Sequence, residues 1–180
     1  MTNRERELAA IARLRPRAMA GDSLAVSNIA AGYRILGRWN LAFRWWHKAA
    51  AAGDGSDMLD VAYCYHHGLG VRRNAAAARR FYESAIQSST VSQFEQEEAM
   101  YHLAVLLLQT RRTTAARSRV RRLLTDANAD GDYPQAGDLL ASINAPDFEI
   151  CVCRRRLRPG LGRIACRIHR GTLPAGALKR

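Results

Sequence analysis

The fold is decided by the stretch Tyr65-His-His-Gly-Leu-Gly-Val71 and by the segment after it, Ala78-Arg-Arg-Phe-Tyr-Glu-Ser-Ala85. Apolar residues at positions 58, 61, 62 and 65 lead into the first stretch with the spacing of one helix face, and positions 78, 81, 82 and 85 repeat that spacing. Gly68 and Gly70 lie between the two stripes and give the backbone the freedom that a helix end needs. The sequence therefore predicts two helices joined by a glycine turn.

Both stripes recur along the chain, which indicates an internal repeat. Stripes of the first kind begin at Val26, Met58, Met100 and Ala136, and stripes of the second kind begin at Ala42, Ala78 and Ala116. Equivalent positions in the second stripes are 36 and 38 residues apart, which is the length of one helical hairpin per repeat. We call the two helices of each hairpin the first helix and the second helix.

The motif Tyr65-x-x-Gly68-x-Gly70-Val71, with Ala78-x-x-Phe81-Tyr82-x-x-Ala85 after it, resembles the Sel-1-like repeat (SLR), which is related to the tetratricopeptide repeat. The segment Trp45-Trp46-x-x-Ala49-Ala50-x-x-Gly53-Asp54 is similar to the end of the second helix of that repeat. The resemblance extends over roughly residues 22–144. Unit 55–88 is a close match, and unit 23–54 lacks four residues of the inter-helix loop. Unit 92–130 keeps only the hydrophobic spacing, with Arg119 where an aromatic residue is expected.

The resemblance implies an all-α solenoid of about three antiparallel helix pairs with capping helices. We expect an N-terminal capping helix in residues 1–22, interrupted near Pro16 because proline disrupts helix interiors. The solenoid is expected to occupy residues 23–144, ending in a helix at 133–144 that caps the stack, because an isolated repeat cannot bury both of its faces. Residues 145–180 then form a small C-terminal segment rich in arginine, cysteine and histidine.

The resemblance further implies a right-handed superhelix whose concave face, lined by the first helices, binds a protein or peptide without catalysis. The candidate contact residues lie off the apolar stripes of those helices: Asn28, Arg34, Asp60, Tyr63, His67 and His102. The alternative for each of them is that the side chain faces solvent without contacting a partner, because only a minority of interface residues carry much binding energy. An adaptor or regulator is the predicted function, and a bacterial antidote-type inhibitor is one form of it.

The C-terminal segment carries a candidate zinc site. Four ligands follow the pattern C-x-C-x12-C-x2-H, namely Cys151, Cys153, Cys166 and His169. Structural zinc takes four such ligands, commonly as two close pairs separated by a loop. In an extended stretch the two residues of C-x-C point the same way, and Pro159-Gly160 allows the chain to turn back. A loose tail with reduced thiols is the alternative, and an iron–sulfur cluster is a more distant one.

The net charge of +12 is concentrated at the ends of the chain. Residues 151–180 contain nine Arg or Lys and no acidic residue, whereas residues 21–150 are balanced, with fourteen basic and fourteen acidic residues. Seven arginines surround the candidate zinc site: Arg154, Arg155, Arg156, Arg158, Arg163, Arg167 and Arg170. Three roles are open for these arginines. They could offset the charge of zinc thiolates, bind phosphates, or bind an acidic protein surface. The alternative function is therefore a nucleic-acid-associated protein that docks through this segment.

The remaining sequence features favour a cytosolic protein without catalytic groups. The longest apolar run, residues 103–108, is far shorter than the roughly 20 residues that span a bilayer. No leader pattern is expected in residues 1–7, so the cysteines are predicted to stay reduced. Cys64, His66 and His67 are neighbours on one helix and therefore point in different directions. Cys64 is expected to be a small buried residue, and the two histidines the polar end of the helix.

Overall fold

The computed structural model describes residues 1–110 and 113–144, and every regular element in these ranges is an α-helix. Eight helices follow one another: α1 (Asn3–Met19), α2 (Ser23–Ile35), α3 (Trp39–Ala51), α4 (Gly55–His67), α5 (Ala75–Gln87), α6 (Gln93–Thr110), α7 (Thr114–Asp126) and α8 (Pro134–Asn144). Each helix packs on the next one in sequence, and α4 also contacts α6. The pairs α2–α3, α4–α5 and α6–α7 are the predicted helical hairpins, so the all-α solenoid is confirmed.

Helix α1 packs on α2 and begins with a capping box, in which Thr2 and Glu5 each accept a hydrogen bond from the other's backbone N–H. The expected interruption near Pro16 is wrong, since α1 continues to Met19. Pro16 lies in the last turn of the helix, where its missing N–H costs only one hydrogen bond. Its own carbonyl still accepts from the N–H of Ala20 at 3.0 Å, which completes the turn.

The inter-helix loops explain how the repeats differ in length. Three residues, 36–38, connect α2 to α3, whereas seven, 68–74, connect α4 to α5. The predicted deficit of four loop residues in the first unit is therefore confirmed. The longer loop packs on the preceding hairpin, because a Cβ atom at Gly70 would lie 2.2 Å from the carbonyl oxygen of Trp39. Gly70 also has a φ of +68°, so both the conformation and the close approach require glycine.

The core is continuous from α1 to α8. One cluster of buried apolar residues joins helices α1–α4, and a second joins α4–α8. Three partly buried residues, Met58, Tyr65 and Phe81, pack against both clusters. They belong to the hairpin α4–α5, which therefore links the two halves of the stack.

The third hairpin keeps the helical spacing but changes the chemistry of one contact. All six residues from Leu103 to Leu108 in α6 are buried. At Arg119, where the repeat pattern expects an aromatic residue, the guanidinium donates to Glu83 Oε1 at 2.7 Å and links α7 to α5. No helix within residues 1–110 and 113–144 combines the length and the apolar character required to cross a bilayer.

Candidate partner-binding groove

A cavity of about 450 Å³ opens between the first helices of the three hairpins. We call it the first-helix groove, and its lining comes from α2, α3, α4 and α6. The lining residues are Arg34, Trp39, Trp46, Ser56, Leu59, Asp60, Tyr63, Cys64, Glu95, Glu98 and His102. Its volume lies in the range of pockets that hold small ligands or anchoring side chains.

One side of the groove is aromatic. The rings of Trp39 and Trp46 on α3 lie 6.4 Å apart between centroids and are tilted by 45°. Tyr63 on α4 meets the ring of His102 on α6 edge to face, at 5.3 Å. Trp46 is buried, whereas Trp39 and Tyr63 are partly exposed, so these two rings are available to a bound group. Aromatic faces bind apolar side chains and also attract cations such as guanidinium.

Carboxyl groups on α4 give the groove an acidic part beside its aromatic side. Burial raises the pKa of Asp60 to about 7, the nearby Asp57 adds to this shift, and Arg34 opposes it. Burial likewise raises the pKa of Asp57 to about 6, although its Oδ2 accepts a hydrogen bond from Ser27 at 2.5 Å. Within the described part of the chain, Asp60 forms no ion pair at 4 Å or closer. Asp60 is partly buried, and a desolvated carboxyl without a close cationic partner is costly to ionise, so a bound cation would relieve that cost.

Helix α6 contributes two more carboxyl groups. Glu95 closes a capping box with Ser92, whose backbone N–H donates to Glu95 Oε2 at 2.9 Å. Burial alone would raise the pKa of Glu95, but the hydrogen bonds from Ser92 lower it below its usual value. Glu98, one turn further along, lies 3.6 Å from Nε2 of His102. Three carboxyl groups thus face one guanidinium in the groove, and the lining favours a cationic ligand.

The histidines behind the groove correct one expectation. His66 was expected at the polar end of the helix, but only 1% of its surface is exposed. Its Nδ1 lies 3.2 Å from the hydroxyl of Tyr82, and its Nε2 lies 3.3 Å from Gln109 Oε1. Since Gln109 Oε1 also accepts from Arg73, we assign the ring proton to Nε2, and Tyr82 donates to Nδ1. Burial lowers the pKa of His66 to about 3, so the ring is neutral at physiological pH.

His67 and Cys64 flank His66 and are also uncharged. The ring of His67 lies against that of Tyr63, with centroids 4.3 Å apart and the planes tilted by 46°, and burial lowers the pKa of His67 to about 4. Cys64 is fully buried, as expected, and burial raises the pKa of its thiol to about 12. A thiol with that pKa is a poor nucleophile, since the thiolate is the reactive form. This end of α4 therefore provides packing and shape to the groove.

Four of the six predicted contact residues come together in the groove, namely Arg34, Asp60, Tyr63 and His102. His67 stands behind Tyr63 and does not line the groove, and Asn28 is exposed on α2 outside it. Whether these residues contact a partner stays a prediction.

The sequence reasoning missed Trp39, Glu95 and Glu98. Glu95, Glu98 and His102 are spaced i, i+3 and i+7, which is one helix face, so this pattern could have identified the two glutamates. Trp39 gave no such signal, because it comes from the start of a second helix and enters the groove only through the tertiary packing.

The predicted metal and anion sites lie outside the described residues. Cys151, Cys153, Cys166 and His169 belong to this part of the chain, as do the seven arginines from Arg154 to Arg170. Within residues 1–110 and 113–144, no three His, Cys, Asp or Glu side chains are grouped so that they could hold a metal ion.

Stacked helical hairpins with an open groove between their first helices define a helical-repeat scaffold of the kind that binds other proteins. Residues 40–54 and 56–89 match the Sel1 repeat family, so the chain carries Sel1 repeats. The matched segments contain nearly all of α3 and almost the complete hairpin α4–α5. Sel1 repeats are generally protein–protein interaction modules and typically form non-enzymatic scaffolds. Comparison with curated proteins found no match, and neither did comparison with solved structures.

Proposed function

We propose that this protein is a cytosolic adaptor that captures a segment of a partner protein in the first-helix groove. The observation that carries this proposal is the lining of the groove, which combines the partly exposed rings of Trp39 and Tyr63 with three carboxyl groups. Such a lining suits an extended or helical peptide that places a basic side chain beside Asp60 and Glu98 and an apolar side chain on Trp39 and Tyr63.

The charges of the groove favour a basic segment over an acidic one. Arg34 is the only lining residue with a permanent positive charge, and Asp60, Glu95 and Glu98 supply three carboxyl groups. An arginine or lysine of the partner would compensate Asp60, which has no close cationic partner in the described part of the chain. A phosphate group would meet repulsion from the same carboxyl groups, so the groove itself disfavours nucleic acid.

A peptide selection tests the proposal. The immobilised full-length protein is expected to enrich, from a random peptide library, sequences with arginine or lysine next to an apolar residue. The double variant Asp60→Asn with Glu98→Gln, here called the groove-neutral chain, is expected to bind the selected peptides at least ~30-fold more weakly, because each lost charge-assisted contact contributes about 1–3 kcal/mol. Fluorescence anisotropy with labelled peptides measures the change.

A matched control removes two carboxyl groups elsewhere. The variant Asp132→Asn with Asp138→Asn changes the net charge equally at exposed positions outside the groove, and its peptide affinity is expected to stay within about twofold of wild type. Selection of peptides without basic residues, or equal weakening in the control variant, would contradict the proposed chemistry of the groove.

The nucleic-acid alternative predicts a different binding result for the groove-neutral chain. Binding through the arginines of residues 154–170 is expected to be unchanged or strengthened in the groove-neutral chain, because two negative charges have been removed. Nuclease treatment of a native complex would then release the bound material, and affinity would fall steeply with salt. A protein partner captured through the groove is expected to resist nuclease. An antidote-type inhibitor is a special case of the adaptor, in which the captured basic segment belongs to a partner's active site.

We also propose, from the sequence alone, that Cys151, Cys153, Cys166 and His169 bind one structural zinc ion. Two close ligand pairs supply the four donors of a tetrahedral site. Metal analysis of purified protein is expected to find about one zinc per chain, falling to near zero in the variant Cys151→Ser with Cys166→Ser. The variant Cys64→Ser is the matched control and is expected to keep the metal, since Cys64 is buried in the helical core. Much less than one equivalent of transition metal in the wild-type protein would refute this proposal.

A further inference from the structure

The first-helix groove has a charge imbalance that the described residues do not compensate. Among them, Asp60 has no ion-pair partner within 4 Å, and the one ion-pair partner of Glu98 is His102, at 3.6 Å. Both carboxyl groups line the same cavity as the aromatic rings of Trp39 and Tyr63. An arginine side chain matches such a site, because its guanidinium pairs with carboxylates and also stacks on aromatic faces.

The same chain contains a segment with that composition. Residues 154–163 read Arg-Arg-Arg-Leu-Arg-Pro-Gly-Leu-Gly-Arg, which places five arginines and two leucines in ten positions. No acidic residue occurs anywhere in residues 151–180. The segment therefore complements the groove in charge, and its leucines suit the aromatic side.

The distance between the end of α8 and the groove is within reach of this segment. Helices α4, α6 and α8 are the first helices of successive units, and short connections between packed helices make neighbours antiparallel, so these three run in the same direction. Helix α8 packs on α7, α7 on α6 and α6 on α4, and axes of packed helices lie 8–10 Å apart, so the axis of α8 is at most about 30 Å from that of α4. Asp60 lies seven residues before the end of α4, about 10 Å along the helix axis and at right angles to that distance, which gives about 32 Å in a straight line. The ten residues from Asn144 to Arg154 can span up to about 33–36 Å, so the connection is long enough.

We propose that residues 154–163 occupy the first-helix groove of their own chain, with arginines beside Asp60 and Glu98, and that a partner must displace them to bind. The arginine-rich segment then acts as a built-in competitor that sets the threshold for partner affinity. This regulation rests on the proposed function, because it gives the same groove two alternative occupants. It also assigns to the arginines a protein contact within the chain instead of a phosphate contact.

The test measures how strongly the segment competes with a probe. The probe is a fluorescein-labelled peptide that copies residues 154–163, and the proteins are full-length chains. In the tail-neutral chain, Arg154, Arg155, Arg156 and Arg158 are each replaced by Gln. A short tether gives a local concentration on the order of 1 mM, so a segment that binds with a Kd of about 100 µM would weaken the probe roughly tenfold. We therefore expect the probe to bind the tail-neutral chain about tenfold more tightly than the wild-type chain.

Two controls separate competition in the groove from a general effect of charge. Replacing Arg4, Arg6, Arg13 and Arg15 of α1 by Gln removes the same charge at exposed positions, and it is expected to leave probe affinity within about twofold of wild type. Adding Asp60→Asn and Glu98→Gln to the tail-neutral chain is expected to abolish the gain. Equal probe affinity for the wild-type and tail-neutral chains would overturn the inference, as would an equal gain in the α1 variant.

A crosslinking experiment distinguishes an intramolecular contact from one between two chains. A benzoylphenylalanine photocrosslinker at Leu157 is expected to label residues 56–64 or 95–102 of the same chain, with a yield that does not depend on protein concentration. The same group at Ala175, beyond the arginine-rich segment, serves as the control and is expected to label neither range. Labelling only between chains would overturn the inference. If probe binding fails while library peptides still bind, the inference is overturned and the proposed function stands.

Discussion

The His66→Gln variant is expected to resist acid better than the wild-type protein, although it is less stable at neutral pH. The pKa of His66 is about 3 in the folded protein and near 6.5 when the chain is unfolded. Between these values the unfolded chain binds a proton that the folded chain does not, so the free energy of unfolding decreases as pH falls below 6.5. From pH 6.5 to pH 4 this single histidine removes about 3 kcal/mol of stability.

Glutamine removes the titration and keeps much of the hydrogen bonding. Its amide can still donate to Gln109 and accept from Tyr82, so the loss at pH 7 is expected to be about 1–2 kcal/mol, mainly from poorer packing. Urea unfolding at pH 7, 5.5 and 4 measures the free energy of unfolding of both proteins. The control variant His47→Gln changes an exposed histidine on α3 and is expected to follow the wild-type curve. Parallel curves for wild type and His66→Gln would show that His66 is not held neutral by burial.

In the tail-neutral chain, which lacks four of the arginines proposed to occupy the groove beside Asp60, the Asp60→Asn substitution is expected to raise stability at pH 8 and to weaken partner binding. The pKa of Asp60 is about 7 in the folded protein and near 3.8 when unfolded. The folded chain therefore holds a proton between pH 3.8 and 7 that the unfolded chain has released, and its stability falls as pH rises through this range. Above pH 7 the ionised, partly buried carboxylate costs about 3–4 kcal/mol, which the asparagine avoids. The advantage of the variant should shrink toward zero near pH 4.

Thermal unfolding at pH 4, 6 and 8 measures this stability difference, and about 3 kcal/mol corresponds to a rise in Tm of roughly 6–12 °C at pH 8 for a chain of this size. Asp132→Asn in the same chain is the control, because Asp132 is exposed, and its Tm is expected to stay near that of the tail-neutral chain at each pH. The Asp60→Asn substitution is also expected to weaken the binding of basic peptides. A gain in stability with a loss of binding is typical of a residue kept for function. An unchanged Tm across this pH range would refute the assignment of Asp60 as a destabilising, partly buried carboxyl.

His66 and Asp60 shape the pH dependence of the wild-type protein in opposite directions. Acidification below pH 6.5 destabilises the fold through His66 and stabilises it through Asp60. His67, with a pKa lowered to about 4, acts in the same direction as His66, and Asp57, with a pKa raised to about 6, acts in the same direction as Asp60. These opposing contributions reduce the net slope of the stability profile between pH 4.5 and 7. Each variant removes one of the four contributions, so its difference from the parent protein at each pH reports that residue.

The raised pKa of Asp60 also predicts how the affinity for a ligand depends on pH. A cationic side chain beside Asp60 favours its ionised form, so binding releases a proton from the fraction of chains in which Asp60 is protonated. The affinity for a basic peptide is thus expected to increase from pH 6 to pH 8. The other groups that face Asp60 are Arg34, Asp57, Glu95 and Glu98, which come from α2, α4 and α6.

Much of the fold follows from local features of the sequence. The spacing of apolar residues located the first and second helices, and the glycine turn with its neighbours predicted the hairpin α4–α5. The shorter loop of the first hairpin could also be predicted, because loop length is counted directly along the chain. The predicted interruption of α1 near Pro16 was wrong, because a proline near the end of a helix removes too little hydrogen bonding to stop it.

Only part of the candidate site could be predicted from the sequence. Arg34, Asp60, Tyr63 and His102 could be found because they lie off the apolar stripes of first helices, whose shared face is implied by the repeat. His66 was misjudged, because its exposure depends on Tyr82 and Gln109, which lie 16 and 43 residues away.

The sequence by itself thus determined which segments are helices, how they pair, and that the charge is concentrated at the two ends of the chain. These properties depend on residues close together in the chain, through helical periodicity, turn chemistry and composition. Only the tertiary structure decided that Trp39, Asp60 and Glu98 line one cavity, and that His66 is buried and Asp60 partly buried where their charged forms are costly. Desolvation depends on every group packed around a side chain, and packing between hairpins brings together residues that are distant in the chain.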